Sequence, residues 1–200
     1  MSAREEILER IRAGLTDRPV AAPILRTYRG PRGAGNLDEF VGRLEDYSAT
    51  VHRSNEVATA ITVILAGRGF SRVVVPAGFP VEWLPEIPIE VVPEPASVDS
   101  LDAVSAVVTT CAVAIAETGT IVLDAGPGMG ARALTLIPDY HLVVVRAAQV
   151  LAIVPDAIAA LDPTRPLTWI SGPSATSDIE LKRVEGVHGP RTLDVLLCDA

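Results

Sequence analysis

Short, unbroken runs of aliphatic and β-branched residues recur along this chain, each bounded by turn-forming residues. The clearest are Arg72-Val73-Val74-Val75-Pro76, residues 104–117 and His141-Leu142-Val143-Val144-Val145, while Val51-His52-Arg53, Ile89-Glu90-Val91-Val92, residues 120–124, residues 167–170 and residues 193–198 read as further strand material. Runs that are apolar at nearly every position suit strands covered on both faces, the habit of parallel sheets. Between them lie stretches of helical spacing. Asn36 and Glu39 read as a capping box ahead of the stripe Leu37, Phe40, Val41, Leu44 and Tyr47. Ser54 reads as the N-cap of a helix reaching Leu65 before Gly67 and Gly69, and residues 131–137 and 155–161 read as further helices. Alternation of this kind predicts an α/β domain with a mainly parallel sheet and helices on both faces. In open sheets of that class, ligands bind beyond the carboxyl ends of strands, so the loops following strands are the places to look.

The first 35 residues stand apart. Residues 2–15 are amphipathic, with Ile7, Leu8, Ile11 and Leu15 on one face, and residues 16–35 are rich in Pro, Gly and Arg. The expected organisation is an N-terminal helix and arm over 1–35 and an α/β domain over 36–200. The helix either packs on its own domain or docks on a partner.

Composition narrows the function. The net charge of −8 argues against a nucleic-acid or anionic-membrane binder, which needs a basic surface. At 48% hydrophobic and 21% charged residues the chain is globular. The charged start Met1-Ser2-Ala3-Arg4-Glu5-Glu6 has no secretory character, and the apolar stretch 103–116 is short for a bilayer and interrupted by hydroxyls. No membrane insertion and a cytoplasmic location are therefore expected. Cys111 and Cys198 sit in separate apolar runs and read as reduced core thiols. Two cysteines fall short of the roughly four thiolates that an iron–sulfur cluster takes. His52, His141 and His188 lack metal-ligand spacing. No metal and no cofactor is expected on this chain.

Three loops carry polar groups into apolar surroundings. In Ala116-Glu117-Thr118-Gly119-Thr120, a carboxylate and two hydroxyls interrupt strand material, and a buried carboxylate must be paired, hydrogen-bonded or protonated. Glu117 is thus a candidate acid/base or ligand-gripping group; the alternative is a tight turn with Glu117 facing solvent. Gly126-Pro127-Gly128-Met129-Gly130 precedes Arg132, offering amides for an anion or merely a flexible loop. Arg132 in a helix's first turn opposes the dipole, which makes sense if it grips a carboxylate or phosphate. Ser171-Gly172-Pro173-Ser174, after an apolar strand, forms a hydrogen-bonding cup. Ser174 or Thr176 could then cap a short helix holding Asp178 and Glu180, and His188 sits between glycines on a following turn.

Taken in order, Ala116-Glu117-Thr118-Gly119-Thr120, Arg132-Ala133-Leu134-Thr135-Leu136-Ile137-Pro138 with His141, residues 171–180 and Gly186-Val187-His188-Gly189-Pro190-Arg191 resemble the LUD-domain family, within it the lactate utilization protein C (LutC/YkgG) group. The likeness covers residues 36–200. It implies a fold like that of the NagB/RpiA/CoA-transferase superfamily and a part in oxidising L-lactate to pyruvate beside partners that resemble iron–sulfur oxidoreductase subunits. The clusters would then be on the partners. A small organic acid would bind near Thr118, Gly119, Thr120, Arg132, His141, Ser171, Gly172, Ser174, Asp178 and Glu180. Arg132 would hold its carboxylate, and Glu117 or His188 would move a proton. Two alternatives stay open. One is a stand-alone superfamily enzyme: a sugar-phosphate isomerase, a CoA transferase with Glu117 as nucleophile, or a formyltetrahydrofolate cyclo-ligase-like protein. The other is a non-catalytic scaffold. Assembly with further copies of itself is also left open.

Overall fold

Six strands run side by side in one direction: β1 (Thr50–Arg53), β2 (Arg72–Val74), β3 (Glu90–Val92), β4 (Ala106–Thr109), β7 (Tyr140–Arg146) and β12 (Thr192–Cys198). Their order is β1-β12-β7-β4-β2-β3, and every neighbouring pair is parallel. A computed structural model describes residues 2–15, 22–27, 29–85, 89–94, 101, 104, 106–177, 183–185 and 189–199. The predicted α/β class with a mainly parallel sheet is what the structure has. At its centre β7 and β12 stay in register from Tyr140 opposite Thr192 to Arg146 opposite Cys198.

The two faces of this sheet are covered differently. Leu142, Val144, Leu196 and Cys198 face helix α3 (Val57–Gly67), whose Val57, Ile61, Ile64 and Leu65 complete that layer. On the opposite face Val143, Val145, Val195 and Leu197 meet Phe40 and Leu44 of helix α2 (Leu37–Asp46). Alternation along a strand makes both faces apolar at once. Each fully buried Phe, Leu or Ile contributes about 1.5–3 kcal/mol of transfer free energy.

A second sheet, β8-β5-β6-β9, lies against the α2 side. It comprises β5 (Val113–Ile115), β6 (Thr120–Leu123), β8 (Val150–Leu151) and β9 (Thr168–Ile170). Its inner residues Ala114, Ala116, Ile121, Leu123 and Val150 join the α2 core, while Val113, Ile115 and Val122 pack on Ala157 of helix α4 (Val154–Ala160). Reading residues 120–124 and 167–170 as strands of the main parallel sheet is therefore corrected: they pair with each other in the second sheet. β5 and β6 are joined by the tight turn at 116–119 and pair antiparallel, which a parallel sheet with long crossovers does not accommodate. The run 104–117 likewise divides between the two sheets at Thr110–Ala112, where the Thr110 amide donates to the Gly128 carbonyl.

Local rules explain most element ends. Asn36 caps α2, its side chain accepting from the Asp38 and Glu39 amides. Ser54 does not cap α3: its hydroxyl accepts from the Glu56 amide, and the helix starts at Val57 without a side-chain cap. The helix expected over 131–137 is only a 3₁₀ turn, Arg132–Thr135. Gly130 at φ +67° and the restriction that Pro138 places on Ile137 leave too few residues for an α-helix to propagate. Nor does a helix start at Ser174 or Thr176, because Ala175–Ser177 (β10) pairs antiparallel with Arg183–Glu185 (β11).

Helix α1 (Ala3–Gly14) has a capping box at Ser2 and Glu5 but buries no residue. The later arm is held to the body. Ala34 bridges to Leu151, the Gly35 amide donates to the Val150 carbonyl, and the Arg32 amide donates to the Asp156 carboxylate.

Candidate functional site

Strand β9 ends at Ile170 and delivers Ser171 and Gly172 to a loop that meets the approach to β12. The Ser174 amide donates to the Pro190 carbonyl at 2.9 Å. Gly172 has φ +84°, and a Cβ there would lie 2.5 Å from the Cβ of Tyr47, so the close approach to α2 requires glycine. Between this loop, the Arg132–Thr135 turn and the first residues of β7 and β12 lies a cavity of about 290 Å³. Arg132, His141, Trp169, Ser171, Ser174 and Gly189 are among its lining residues. It therefore opens at the amino ends of β7 and β12 and at the carboxyl end of β9, whose following loop is one of those the sequence singles out. The reason is the second sheet, which brings the carboxyl end of β9 over the opposite edge.

Of the residues singled out from the sequence, Arg132, His141, Ser171, Gly172 and Ser174 share this cavity. Thr118 and Thr120 do not line it but connect to it. Their hydroxyls lie 2.7 Å apart, and the Thr120 hydroxyl is 2.8 Å from that of Ser171. Gly119, at φ +59°, turns the chain between the two threonines against Arg43 of α2. Glu117 is elsewhere. Both of its oxygens are taken by the Arg29 guanidinium, at 2.6 and 3.1 Å. Arg29 holds the Glu117 carboxyl below the ordinary carboxylate range, chiefly by hydrogen bonding. A carboxylate so engaged is poised neither as a nucleophile nor as a proton donor at neutral pH. Asp178, Glu180 and His188 lie outside the described residues.

The polar groups of the cavity differ in kind. Arg132 is exposed, and its guanidinium has no ion-pair or hydrogen-bond partner among the described residues. His141 is 1% exposed, and burial pushes its pKa down to about 3, so the ring is neutral at physiological pH. Its Nε2 lies 2.8 Å from the hydroxyl of Thr109, which is itself fully buried. A fixed cation, hydroxyls and a neutral imidazole around this volume, roughly ten waters' worth at about 30 Å³ each, suit a small carboxylate.

The glycine-rich loop does not serve as an anion cradle. The Gly126 amide donates to Asp124, that of Gly128 to the Ala77 carbonyl, that of Met129 to the Gly126 carbonyl and that of Ala131 to Glu94. Both cysteines are buried and form no disulfide, and burial raises the Cys111 thiol to about 12. Among the described residues no group of three His, Cys, Asp or Glu could hold a metal ion, and no helix is long and apolar enough to cross a membrane.

Sequence reasoning missed Arg29, Thr109 and Trp169. Arg29 lay in an arm with no periodicity to place it. Thr109 carried a usable signal, a hydroxyl within an apolar run, the same one that drew attention to Thr120.

The chain is thus an α/β protein with a six-stranded parallel sheet, a mixed four-stranded partner sheet and, between them, a cavity lined by Arg132. Residues 98–198 match the LUD domain. The chain is 45% identical over 185 residues to lactate utilization protein C of Deinococcus radiodurans, covering 90% of this chain and 84% of that protein. It is also 37% identical over 93 residues to lactate utilization protein C of Bacillus pumilus, covering 42% of this chain and 38% of that one. A crystal structure of a DUF162 family protein from Deinococcus radiodurans superposes with TM-score 0.67 at 39% identity, covering 81% of this chain and 95% of that chain. This chain belongs to the LUD domain family.

Proposed function

We propose that this chain is a cytoplasmic component of a lactate utilization system and that its cavity holds a small hydroxy- or keto-carboxylate during oxidation of L-lactate to pyruvate. The observation that carries this reading is the 45% identity to a lactate utilization protein C along 90% of the chain. Arg132, which has no partner among the described residues, lies beside the Ser171 and Ser174 loop and supports it, since a guanidinium and hydroxyls together match a carboxylate. Oxidation of lactate releases two electrons and two protons. Two buried cysteines do not supply the four thiolates of a cluster, so the electrons pass to iron–sulfur partner proteins. This chain binds and orients the acid; Arg132 takes the carboxylate, and the Ser171 hydroxyl, held from behind by Thr120 and Thr118, orients the remainder.

Calorimetric titration with L-lactate and with pyruvate, on wild type and Arg132→Gln, tests the site. At least one acid should bind wild type, with affinity at least about tenfold weaker in the variant, the loss of one charge-assisted hydrogen bond. Equal heats in the two proteins would remove Arg132 from the site. Co-purification of the tagged chain followed by iron analysis tests the partners; an iron-free eluate from lactate-grown cells counts against them.

A further inference from the structure

The deepest polar group of the cavity is His141, and its chemistry is set from behind by Thr109. Thr109 is fully buried, and among the described residues its hydroxyl makes one hydrogen bond, to Nε2 of His141. A buried hydroxyl carries one proton and strongly disfavours leaving it without an acceptor. The His141 ring nitrogen is the only acceptor this hydroxyl has among the described residues. Nε2 must then accept, which puts the ring's single proton on Nδ1. Nδ1 has no partner among the described residues, and His141 lines the cavity.

We propose that His141 presents a neutral Nδ1–H donor to the cavity, held in that tautomer by Thr109, and that this donor selects carboxylates bearing an oxygen on the adjacent carbon. Resting on the reading above, Arg132 takes the carboxylate and Nδ1–H donates to the α-oxygen. A keto oxygen accepts this bond with no competing proton, and a hydroxyl accepts it while donating its own proton elsewhere. An acid with only hydrogens on that carbon leaves the buried N–H unpaired and is rejected, the stronger form of discrimination for a site built around a hydrogen bond. Because the ring stays neutral, it attracts the α-oxygen without competing with Arg132 for the carboxylate. Thr109 acts through His141 and is a positioning residue.

The chain has three histidines, so a spectrum of protein carrying ¹⁵N-labelled histidine contains few ring signals. Wild type should show His141 with a protonated Nδ1 and an unprotonated Nε2. Thr109→Val, similar in shape, should lose that pattern, and Thr109→Ser should keep it. A wild-type spectrum with the proton on Nε2 overturns the inference. In parallel titrations with pyruvate and propionate, wild type should favour pyruvate at least tenfold. Thr109→Val should lower that ratio severalfold with little change for propionate, and Thr109→Ser should restore it. Wild type binding both acids equally overturns this inference alone. Wild type binding neither acid overturns the ligand assignment together with the cavity reading on which it rests.

Discussion

The imidazole of His141 shows how one buried group couples stability to pH. Its ordinary pKa of 6.5 applies in the unfolded chain, and burial lowers it to about 3 in the folded one. Between those values the unfolded chain binds a proton that the folded chain refuses. Stability therefore rises with pH across this window and is lost as pH falls below 6.5. By about pH 5 the loss is about 2 kcal/mol relative to neutral pH. Urea unfolding of wild type and His141→Gln near pH 7 and pH 5 measures it, and wild type should lose about 2 kcal/mol more than the variant. Parallel pH slopes would mean that the folded protein accommodates the charged ring. Glu117 has a lowered pKa that keeps it ionised and bound to Arg29, and acid protonation would loosen that contact.

Elements are placed here by turns that admit only glycine. Gly119 closes the β5–β6 hairpin at φ +59°, and a Cβ would lie 2.6 Å from the Cβ of Arg43. Gly119→Ala should cost about 1–3 kcal/mol, from left-handed backbone strain and displacement of α2. At Gly42, within α2, a Cβ would meet nothing within 4 Å, and Gly42→Ala should stabilise by about 0.5–1 kcal/mol. Opposite shifts of the denaturation midpoint would separate the two roles; a loss at both positions would contradict this account of Gly42. The tight turn at Gly119 also explains why Thr118 and Thr120 reach one another and, through Thr120, Ser171. Spacing in the sequence marked these hydroxyls as out of place among apolar neighbours, but not whom they would meet.

At the scale of the whole molecule, Asp194 ties the parts together. Fully buried on β12, it accepts from Tyr140 of β7 at 2.8 Å and from Arg68 after α3 at 2.8 Å, and it lies 3.2 Å from His52 Nε2 of β1. Asp194→Ala would strand these partners and should cost about 3–5 kcal/mol. Asp139→Ala breaks the exposed pair with Arg191 and should cost about 1 kcal/mol or less. Thermal or urea unfolding compares the two, and equal costs would contradict the assigned importance of the buried cluster. Several features were legible in advance: the strands around Val73, Val143 and Val195, the helix capped by Asn36 and the burial of both cysteines. Each depends on local periodicity, a cap or simple hydrophobicity, which neighbours along the chain already express. The division into two sheets, the cavity at the amino ends of β7 and β12, the capture of Glu117 by Arg29 and the pairing of His141 with Thr109 were not legible. Each is a meeting of residues far apart in sequence, decided by which packed arrangement satisfies every buried polar group at once.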